Sequence, residues 1–236
     1  MLEKPLVTIV GFGAFGQLLA GLLTPYCRIQ VHDPDMGAQL AATNAGHGTV
    51  PVAGIGGQYV ILAVPVQGLA DCLRQIAPHL RPGQTVIDVC SVKEEPARLM
   101  ADLLPAGVDV IATHPMFGPQ SAVAGLAGLQ VVLCPVRGDG WRRLAAWLRR
   151  AGLRIVVTTP EEHDRQAAMT QGLTHLLARA IHSLGEQPRI RTRSYDLLTE
   201  AVAMVLHDAP DVVDAITRRN PHIEGLRVRL MQALAR

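Results

Sequence analysis

The chain has 236 residues, of which 49% are hydrophobic and 18% are charged, and its formal net charge is +2. This balance is typical of a globular protein and excludes disordered and collagen-like chains. The small net charge gives no reason to expect nucleic acid or a membrane surface as a partner. The four cysteines lie far apart without a C-x-x-C pair, and the longest apolar run, Val60 to Val66, is far shorter than the roughly 18 residues of a membrane span. We therefore predict a cytoplasmic protein with reduced thiols and no metal site.

Short apolar runs alternate with longer amphipathic segments up to about residue 157. The runs predict strands at 6–10, 29–32, 59–64, 85–88, 108–112, 129–134 and 154–157. The main helices predicted between them are at 15–23, 67–77, 94–103 and 141–151. Continuous β-rich runs that alternate with helices are typical of a mainly parallel, doubly wound sheet with helices on both faces. We therefore predict a Rossmann-like α/β domain over residues 1–158 that binds a dinucleotide.

From residue 159 onward the pattern is helical only. Thr159 can cap a helix, Pro160 suits its first turn, and Glu161 and Glu162 favour the positive helix end. Helices are predicted at 160–182, 194–206, 209–219 and 221–235. A helical segment of this size can hardly bury its apolar stripes alone. We therefore predict a small all-helical domain over residues 159–236 that forms a homodimer with a second copy.

A glycine-rich turn joins the first strand to the first helix, and it consists of Gly11, Phe12, Gly13, Ala14, Phe15 and Gly16. Gly11 allows a tight turn, Gly13 lets the backbone approach a pyrophosphate, and Gly16 lets the helix pack closely on the strand. Asp33, after the second strand, can accept hydrogen bonds from the ribose hydroxyls of an adenosine. The HDPDMG turn offers no arginine to a 2′-phosphate, so NAD is favoured over NADP. A glycine turn that serves packing alone is the alternative.

In an open α/β sheet, ligands bind outside the carboxyl ends of the strands. This rule selects Gly11, Val64 with Pro65, Ser91 and His114, because each follows a predicted strand. His114 would point at the nicotinamide end of a bound cofactor, and Ser91 could hydrogen-bond this histidine or the substrate. A histidine suits the removal of a hydroxyl proton because its unperturbed pKa is about 6.5. A histidine that only caps the strand end is the alternative.

The first predicted helix of the second half carries a cluster of polar side chains. Gln171 and His175 lie four residues apart on one helix face, with Thr174 beside them. Polar groups at an apolar interface cost free energy unless they are paired, which favours a lined pocket. A hydrogen-bonded core histidine is the alternative.

Five motifs together resemble a known family. They are GFGAFG, DVCSVKE at 88–94, THPMFGP at 113–119, EEHDRQAA at 161–168 and QGLTH at 171–175. Their order and approximate spacing are similar to those of the prephenate/arogenate dehydrogenases of tyrosine biosynthesis, a pathway of aromatic amino acid synthesis. The resemblance covers nearly the whole chain and is strongest to the compact arogenate dehydrogenases of the plant type.

The resemblance implies an NAD(P)-dependent oxidative decarboxylation of a cyclohexadienol carboxylate. His114 matches the family histidine that accepts the C4 hydroxyl proton while hydride leaves C4 for the nicotinamide, and loss of CO₂ from C1 then aromatises the ring. Ser91 matches the serine that orients this histidine and the substrate hydroxyl. His175 matches a histidine of the substrate pocket. The family also forms dimers through its helical domain.

Two departures from the family pattern concern the cofactor and the substrate. Plant-type enzymes usually carry a serine-arginine pair where this chain has Asp33 and Pro34, so the resemblance again favours NAD over NADP. Ala124 falls where enzymes that prefer arogenate place an acidic residue for the ammonium group of the substrate. Prephenate, which has a keto group there, is therefore at least as well suited as arogenate.

A third departure concerns the carboxylate on the substrate ring. Many bacterial members bind it with an arginine at the position of Met204. Arg193, or Arg191 beside it, on the loop before Tyr195, could serve instead, because a guanidinium matches a carboxylate.

Three other functions stay open from the sequence. The first is a dehydrogenase for a modified substrate, such as an amino-substituted prephenate. The second is a β-hydroxyacid or imine-reducing dehydrogenase, which is disfavoured because no lysine follows Lys93, which we interpret as a helix-start residue. The third is an NAD-binding regulatory protein without turnover.

Overall fold

The structure is a computed structural model that describes residues 4–123, 125–185 and 188–235. The chain divides into two compact units, Met1–Pro160 and Glu161–Arg236, called unit 1 and unit 2 below. Across the described ranges, every helix is too short or too polar to cross a membrane. The assignment of a dinucleotide-binding role to the first part and a dimerisation role to the second stays a prediction.

An eight-stranded sheet forms the centre of unit 1 within the described residues. Its strands are β1 (Leu6–Val10), β2 (Arg28–His32), β3 (Gly48–Thr49), β4 (Tyr59–Leu62), β5 (Thr85–Asp88), β6 (Asp109–Pro115), β7 (Gln130–Arg137) and β8 (Arg154–Val157). Their order is β3-β2-β1-β4-β5-β6-β7-β8. Neighbouring strands are parallel except β6 and β7, which are antiparallel. The predicted mainly parallel, doubly wound sheet is confirmed.

Helices cover both faces of this sheet. They are α1 (Ala14–Leu23), α2 (Met36–Asn44), α3 (Val66–Ile76), α4 (Glu94–Leu103), the short α5 (Pro119–Ala122) and α6 (Gly140–Arg150). Alternate strand residues such as Ile9, Ile61 and Ile87 form one core layer with side chains from α1, α2 and α6. The residues between them, among them Val60 and Val86, are buried on the opposite face, where α3 and α4 pack together.

Two boundaries near the predicted site differ from the sequence prediction. The strand predicted at 108–112 extends to Pro115, because the antiparallel neighbour β7 pairs with His114 and Pro115 through Val132 and Val131. His114 therefore lies inside a strand rather than after one. The strand predicted to end at Val64 ends at Leu62. Two short elements, α2 and β3, were not predicted from the sequence.

All regular secondary structure among the described residues of unit 2 is helical. The segments are α7 (Pro160–Ala167, whose first residue closes unit 1), α8 (Leu173–Leu184), α9 (Arg193–Leu206), α10 (Pro210–Asp214) and α11 (Ile223–Leu234). The helix predicted at 160–182 is interrupted by a π-helical turn at Ala168–Gly172, and the helix predicted at 209–219 ends in one at Ala215–Arg219. These two turns contact each other. A Cβ atom at Gly172 would lie 2.5 Å from the Ile223 Cδ1 atom, so this glycine lets α11 approach closely.

Candidate active site

The glycine-rich turn after β1 combines close packing with open space. Gly11 has a φ of +92°, in the left-handed region that favours glycine. A Cβ atom at Gly11 would lie 2.5 Å from the Ala63 carbonyl oxygen, and one at Gly16 would lie 2.2 Å from the Gly11 carbonyl oxygen. A Cβ atom at Gly13, the N-cap residue of α1, would meet nothing within 4 Å. The turn therefore fits a pyrophosphate, because space is open where the helix N-terminus offers N–H groups.

Asp33 connects the end of β2 to this turn. Its Oδ2 atom accepts a hydrogen bond of 2.7 Å from the Phe12 backbone N–H, and its Oδ1 atom accepts one of 2.8 Å from the Asp35 N–H. The Phe12 ring is buried in the core, so only the backbone of this predicted cofactor residue borders the turn. Asp35 caps α2 by accepting a hydrogen bond from Ala38. Two carboxylates thus lie next to each other where the ribose of a dinucleotide is expected.

The other predicted cofactor residues lie around the same turn. Ala14 begins α1, and the Phe15 ring lies 6.5 Å from the Phe117 ring, measured between centroids. Val64 and Pro65 follow β4, and Val64 Cγ1 would lie 3.0 Å from a Cβ atom at Gly11. Pro65 is the N-cap residue of α3. The predicted cofactor residues therefore lie together at the ends of β1, β2 and β4.

Ser91 and His114 lie on the next two strands along the sheet. His114 is the second-last residue of β6 and is 3% exposed. Ser91 follows the end of β5 by three residues and is half-buried. Because β1, β4, β5 and β6 are parallel neighbours, their carboxyl ends meet at one edge. The imidazole is thus held at the edge of the sheet that also carries the glycine-rich turn.

A buried ion pair between Asp88 and Lys93 supports this edge. Both side chains have 0% exposure, and the Lys93 ammonium donates to Asp88 Oδ2 and, at 2.5 Å, to the Thr113 carbonyl oxygen. Sequence reasoning missed this role. Lys93 is indeed the N-cap residue of α4, but it is fully buried rather than a simple helix-start residue. Burial, followed by the Asp88 charge, raises the pKa of the adjacent Cys90 thiol far above its usual range.

In unit 2, His175 is buried and lies between two oxygen acceptors. Its Nδ1 atom lies 2.8 Å from the Gln171 carbonyl oxygen, and its Nε2 atom lies 3.0 Å from Asp208 Oδ2. Both ring nitrogens of His175 therefore face oxygen atoms within unit 2. Asp208 was missed because it belongs to no motif and lies 33 residues away.

The other predicted substrate residues of unit 2 have different surroundings. The Gln171 side-chain oxygen is buried and has no hydrogen-bond partner among the described residues. Thr174 is exposed and donates to the Thr170 carbonyl oxygen. Gln171 is therefore the better placed of the two to accept a hydrogen bond from a ligand.

The EEHD motif builds a second buried cluster in unit 2. The His163 Nδ1 atom lies 2.7 Å from Asp164 Oδ1, and the Asn220 side chain donates to the Asp164 carbonyl oxygen. The Asn220 side-chain oxygen in turn accepts a hydrogen bond from the His222 backbone N–H. These contacts tie α7 to the start of α11, so this motif has a structural role within unit 2.

The two candidate arginines lie at the start of α9. Arg193 is the first residue of the helix rather than part of the loop before it. Its side chain is 73% exposed and lies 3.5 Å from Glu200. Arg191 pairs with Asp196 at 2.7 Å and lies over the Tyr195 ring. The Arg193 guanidinium is thus accessible to an anion, whereas that of Arg191 already pairs with a carboxylate. Ala124, the predicted substrate-selecting position, lies outside the described residues.

The sheet, the glycine-rich turn and the acidic residue after β2 are the parts of a nucleotide-binding α/β domain. Residues 29–157 match the family model for the nucleotide-binding domain of prephenate dehydrogenase. The chain belongs to this family, as its motifs predicted.

Individual relatives agree with this assignment. The chain is 32% identical over 185 residues to a probable arogenate/prephenate dehydrogenase of Methanocaldococcus jannaschii, a match that covers 72% of the chain and 40% of the relative. It is 29% identical over 229 residues to arogenate dehydrogenase 2, chloroplastic, of Arabidopsis thaliana, which covers 92% of the chain and 64% of the relative. The chain therefore spans less than two thirds of the length of either relative.

A solved structure shares the fold. The crystal structure of prephenate dehydrogenase from A. aeolicus in complex with hydroxyphenyl propionate and NAD+ superposes with a TM-score of 0.78. The match covers 99% of this chain and 89% of that chain at 21% sequence identity. At this identity the likeness shows the fold.

Proposed function

We propose that the protein catalyses the NAD-dependent oxidative decarboxylation of prephenate or arogenate. The observation that carries this proposal is the position of His114. It is held near the end of β6, at the edge of the sheet where the glycine-rich turn and Asp33 lie. Membership of the prephenate dehydrogenase family supports the reaction class.

The cofactor would be held by the turn after β1 and by Asp33. The backbone at Gly13 would approach the pyrophosphate, and Val64 and Pro65 would border the dinucleotide. Asp33 and Asp35 would repel a 2′-phosphate, which favours NAD over NADP. The A. aeolicus relative was solved with NAD+, which supports a nicotinamide dinucleotide as the cofactor. NAD, when bound, supplies the hydride acceptor for the reaction.

His114 would act as the general base, because an imidazole can take a proton near neutral pH. It would accept the C4 hydroxyl proton of the substrate as the C4–H bond breaks and a C4 carbonyl forms. Loss of CO₂ from C1 then sends the C1 electron pair into the ring, and the proton on His114 can return to the phenolate oxygen. Ser91 would orient both His114 and the substrate hydroxyl.

Unit 2 would supply the groups that bind the substrate carboxylates and side chain. His175 with Asp208, the buried Gln171 oxygen and Thr174 are the candidates on α8 and the π-helical turn before it. Arg193, or Arg191 beside it, would bind the ring carboxylate. Ala124 cannot pair with an ammonium group, so we expect prephenate to be at least as good a substrate as arogenate.

We also propose that two copies associate through unit 2 and that the enzyme works in the cytoplasm. Leu197 and Met204 are exposed on one face of α9, and Val228, Met231 and Leu234 are exposed at intervals of three residues along α11. These rows would be covered in a homodimer. The cysteines are free thiols, as a reducing compartment requires.

The test is NADH formation by the purified protein with NAD and either prephenate or arogenate. His114→Ala should lower kcat by roughly 10²- to 10⁴-fold, the usual contribution of a general base, while the NAD dissociation constant stays unchanged. His182→Ala, an exposed histidine at the end of α8, is the matched control. Full activity of His114→Ala would exclude this mechanism. NAD binding without turnover of either substrate would favour a modified substrate or a regulatory protein.

A further inference from the structure

We propose that Lys93, together with Asp88, is a positioning residue that sets the place of His114. The inference rests on the proposed function, in which His114 is the base. In this arrangement the buried Asp88–Lys93 pair fixes the last residues of β6 against the end of β5.

The regular backbone pairing between β5 and β6 ends two residues before His114. The regular pairing of the two strands ends at Asp88 and Ala112, whereas β6 continues through Thr113 to Pro115. A buried backbone N–H and carbonyl without partners would be costly at Thr113. This position therefore needs partners from outside the regular sheet.

Asp88 and Lys93 provide those partners. The Thr113 backbone N–H donates to Asp88 Oδ1 at 3.1 Å, and the Thr113 carbonyl oxygen accepts from the Lys93 ammonium at 2.5 Å. The Thr113 hydroxyl also donates to the Asp88 carbonyl oxygen at 2.6 Å. Both backbone groups of the residue before His114 are thus held by one ion pair.

The same pair also holds the segment that leads to Ser91. The Cys90 backbone N–H donates to Asp88 Oδ2 at 3.0 Å, and this oxygen also accepts from Lys93. Asp88 therefore contacts the residue before Ser91 and the residue before His114. A single carboxylate sets the spacing of the two predicted catalytic side chains.

Lys93 acts through these neighbours and not on the substrate, because its side chain has 0% exposure. A buried pair of this kind can be replaced by neutral groups without loss of stability, whereas removal of one partner leaves an uncompensated charge. This difference separates positioning from a purely stabilising role.

The test compares Lys93→Met with the double variant Asp88→Asn, Lys93→Met. The single variant should be strongly destabilised. The double variant should recover much of the unfolding midpoint, because no buried charge is left unpaired, but the Thr113 carbonyl still lacks its donor. The catalytic rate should therefore stay low. We expect kcat to fall by about 10- to 100-fold, with little change in KM for the substrate or in NAD affinity. The exposed pair Arg98 and Asp102 on the same helix gives the matched control, Arg98→Met with Asp102→Asn.

A second variant and a second readout keep the two proposals distinguishable. Thr113→Val removes the hydroxyl contact but preserves a β-branched strand residue, and it should lower kcat several-fold. The NMR signal of the His114 ring is assigned by its loss in His114→Ala. It should shift in the Asp88/Lys93 double variant and in Thr113→Val, and it should stay fixed in the Arg98/Asp102 control. A folded variant set with wild-type kcat and an unshifted His114 signal would overturn the positioning role. Absence of turnover in the wild type would refute the proposed function, while the His114 signal would still test positioning.

Discussion

Unit 1 and unit 2 both bury polar side chains, but they differ in the number of large apolar side chains that they expose. In unit 1 the buried Asp88–Lys93 pair serves the backbone at Thr113, next to the predicted site. In unit 2 the buried His175 pairs with Asp208, which follows α9, and the buried His163 pairs with its neighbour Asp164 in α7. Among the described residues, ten large apolar side chains are exposed in unit 2 and six in the larger unit 1. Unit 2 thus exposes more large apolar side chains than the larger unit 1, as the proposed homodimer would require.

The largest effect on stability is expected from Gly16→Ala, which disrupts the close packing of the glycine-rich turn in unit 1. The new Cβ atom would lie 2.2 Å from the Gly11 carbonyl oxygen, and a backbone atom cannot move aside cheaply. We expect a loss of about 1–3 kcal/mol or more in the free energy of unfolding. Urea unfolding measures this loss. A midpoint equal to that of the wild type would show that the turn is loosely packed.

Gly13→Ala is the matched control for this variant. Its Cβ atom would meet nothing within 4 Å, so the free energy of unfolding should be unchanged. NAD affinity should instead fall by at least about tenfold, because the methyl group occupies the space for the pyrophosphate. Calorimetric titration with NAD measures this change. Unchanged affinity would mean that the phosphates do not approach Gly13.

The two units also differed in how far their sequences could be interpreted. In a parallel sheet the carboxyl ends of the strands share one edge. The residues that follow the apolar runs, among them Gly11, Ser91 and His114, could therefore be assigned to one edge from the sequence. The extension of β6 to Pro115 could not be predicted, because it depends on pairing with an antiparallel neighbour. The burial of Lys93 was missed for a similar reason: periodicity describes a helix face and not a side chain at the helix start.

Helix periodicity says less about unit 2. It predicted where the helices lie, but not the π-helical turns at Ala168–Gly172 and Ala215–Arg219, which contact each other in the fold. The partner of His175 could not be inferred either, since Asp208 lies beyond α9 and no local spacing links the two residues. Contacts between helices distant in sequence decide the interior of this unit.

An intermediate effect is expected at the exposed apolar face of unit 2. Leu197 lies on the side of α9 opposite the buried Val202 and is 49% exposed. If this face is covered by a second copy, Leu197→Arg should raise the dimer dissociation constant by at least about tenfold, because burial of a leucine contributes roughly 1.5–3 kcal/mol. Analytical ultracentrifugation measures the constant.

Ala203→Arg adds the same charge to another exposed position of α9 and should leave the association unchanged. A wild-type protein that remains monomeric at high concentration would contradict the homodimer.

The smallest effect concerns a local pair at the surface of α7. The Arg165 guanidinium donates to both oxygens of Glu162 at 2.7 and 2.6 Å. These hydrogen bonds, with one from Gln166, lower the pKa of the Glu162 carboxyl from 4.5 to about 2. Because the folded pKa is the lower one, the pair stabilises the fold above pH 4.5, and this contribution is lost as the pH falls toward 2.

Glu162→Gln should therefore lower Tm slightly near neutral pH, since exposed pairs contribute little, and the difference from wild type should shrink between pH 4.5 and 2. Scanning calorimetry across this range measures it. Glu161→Gln, in the same helical turn, shares any effect of the helix dipole but not the Arg165 contact, so its Tm difference should lack this pH dependence. A constant difference for Glu162→Gln would mean that the pair does not persist in solution. This local pair would then contribute nothing to the stability of unit 2, in contrast to buried contacts between its helices, such as Asn220 with Asp164.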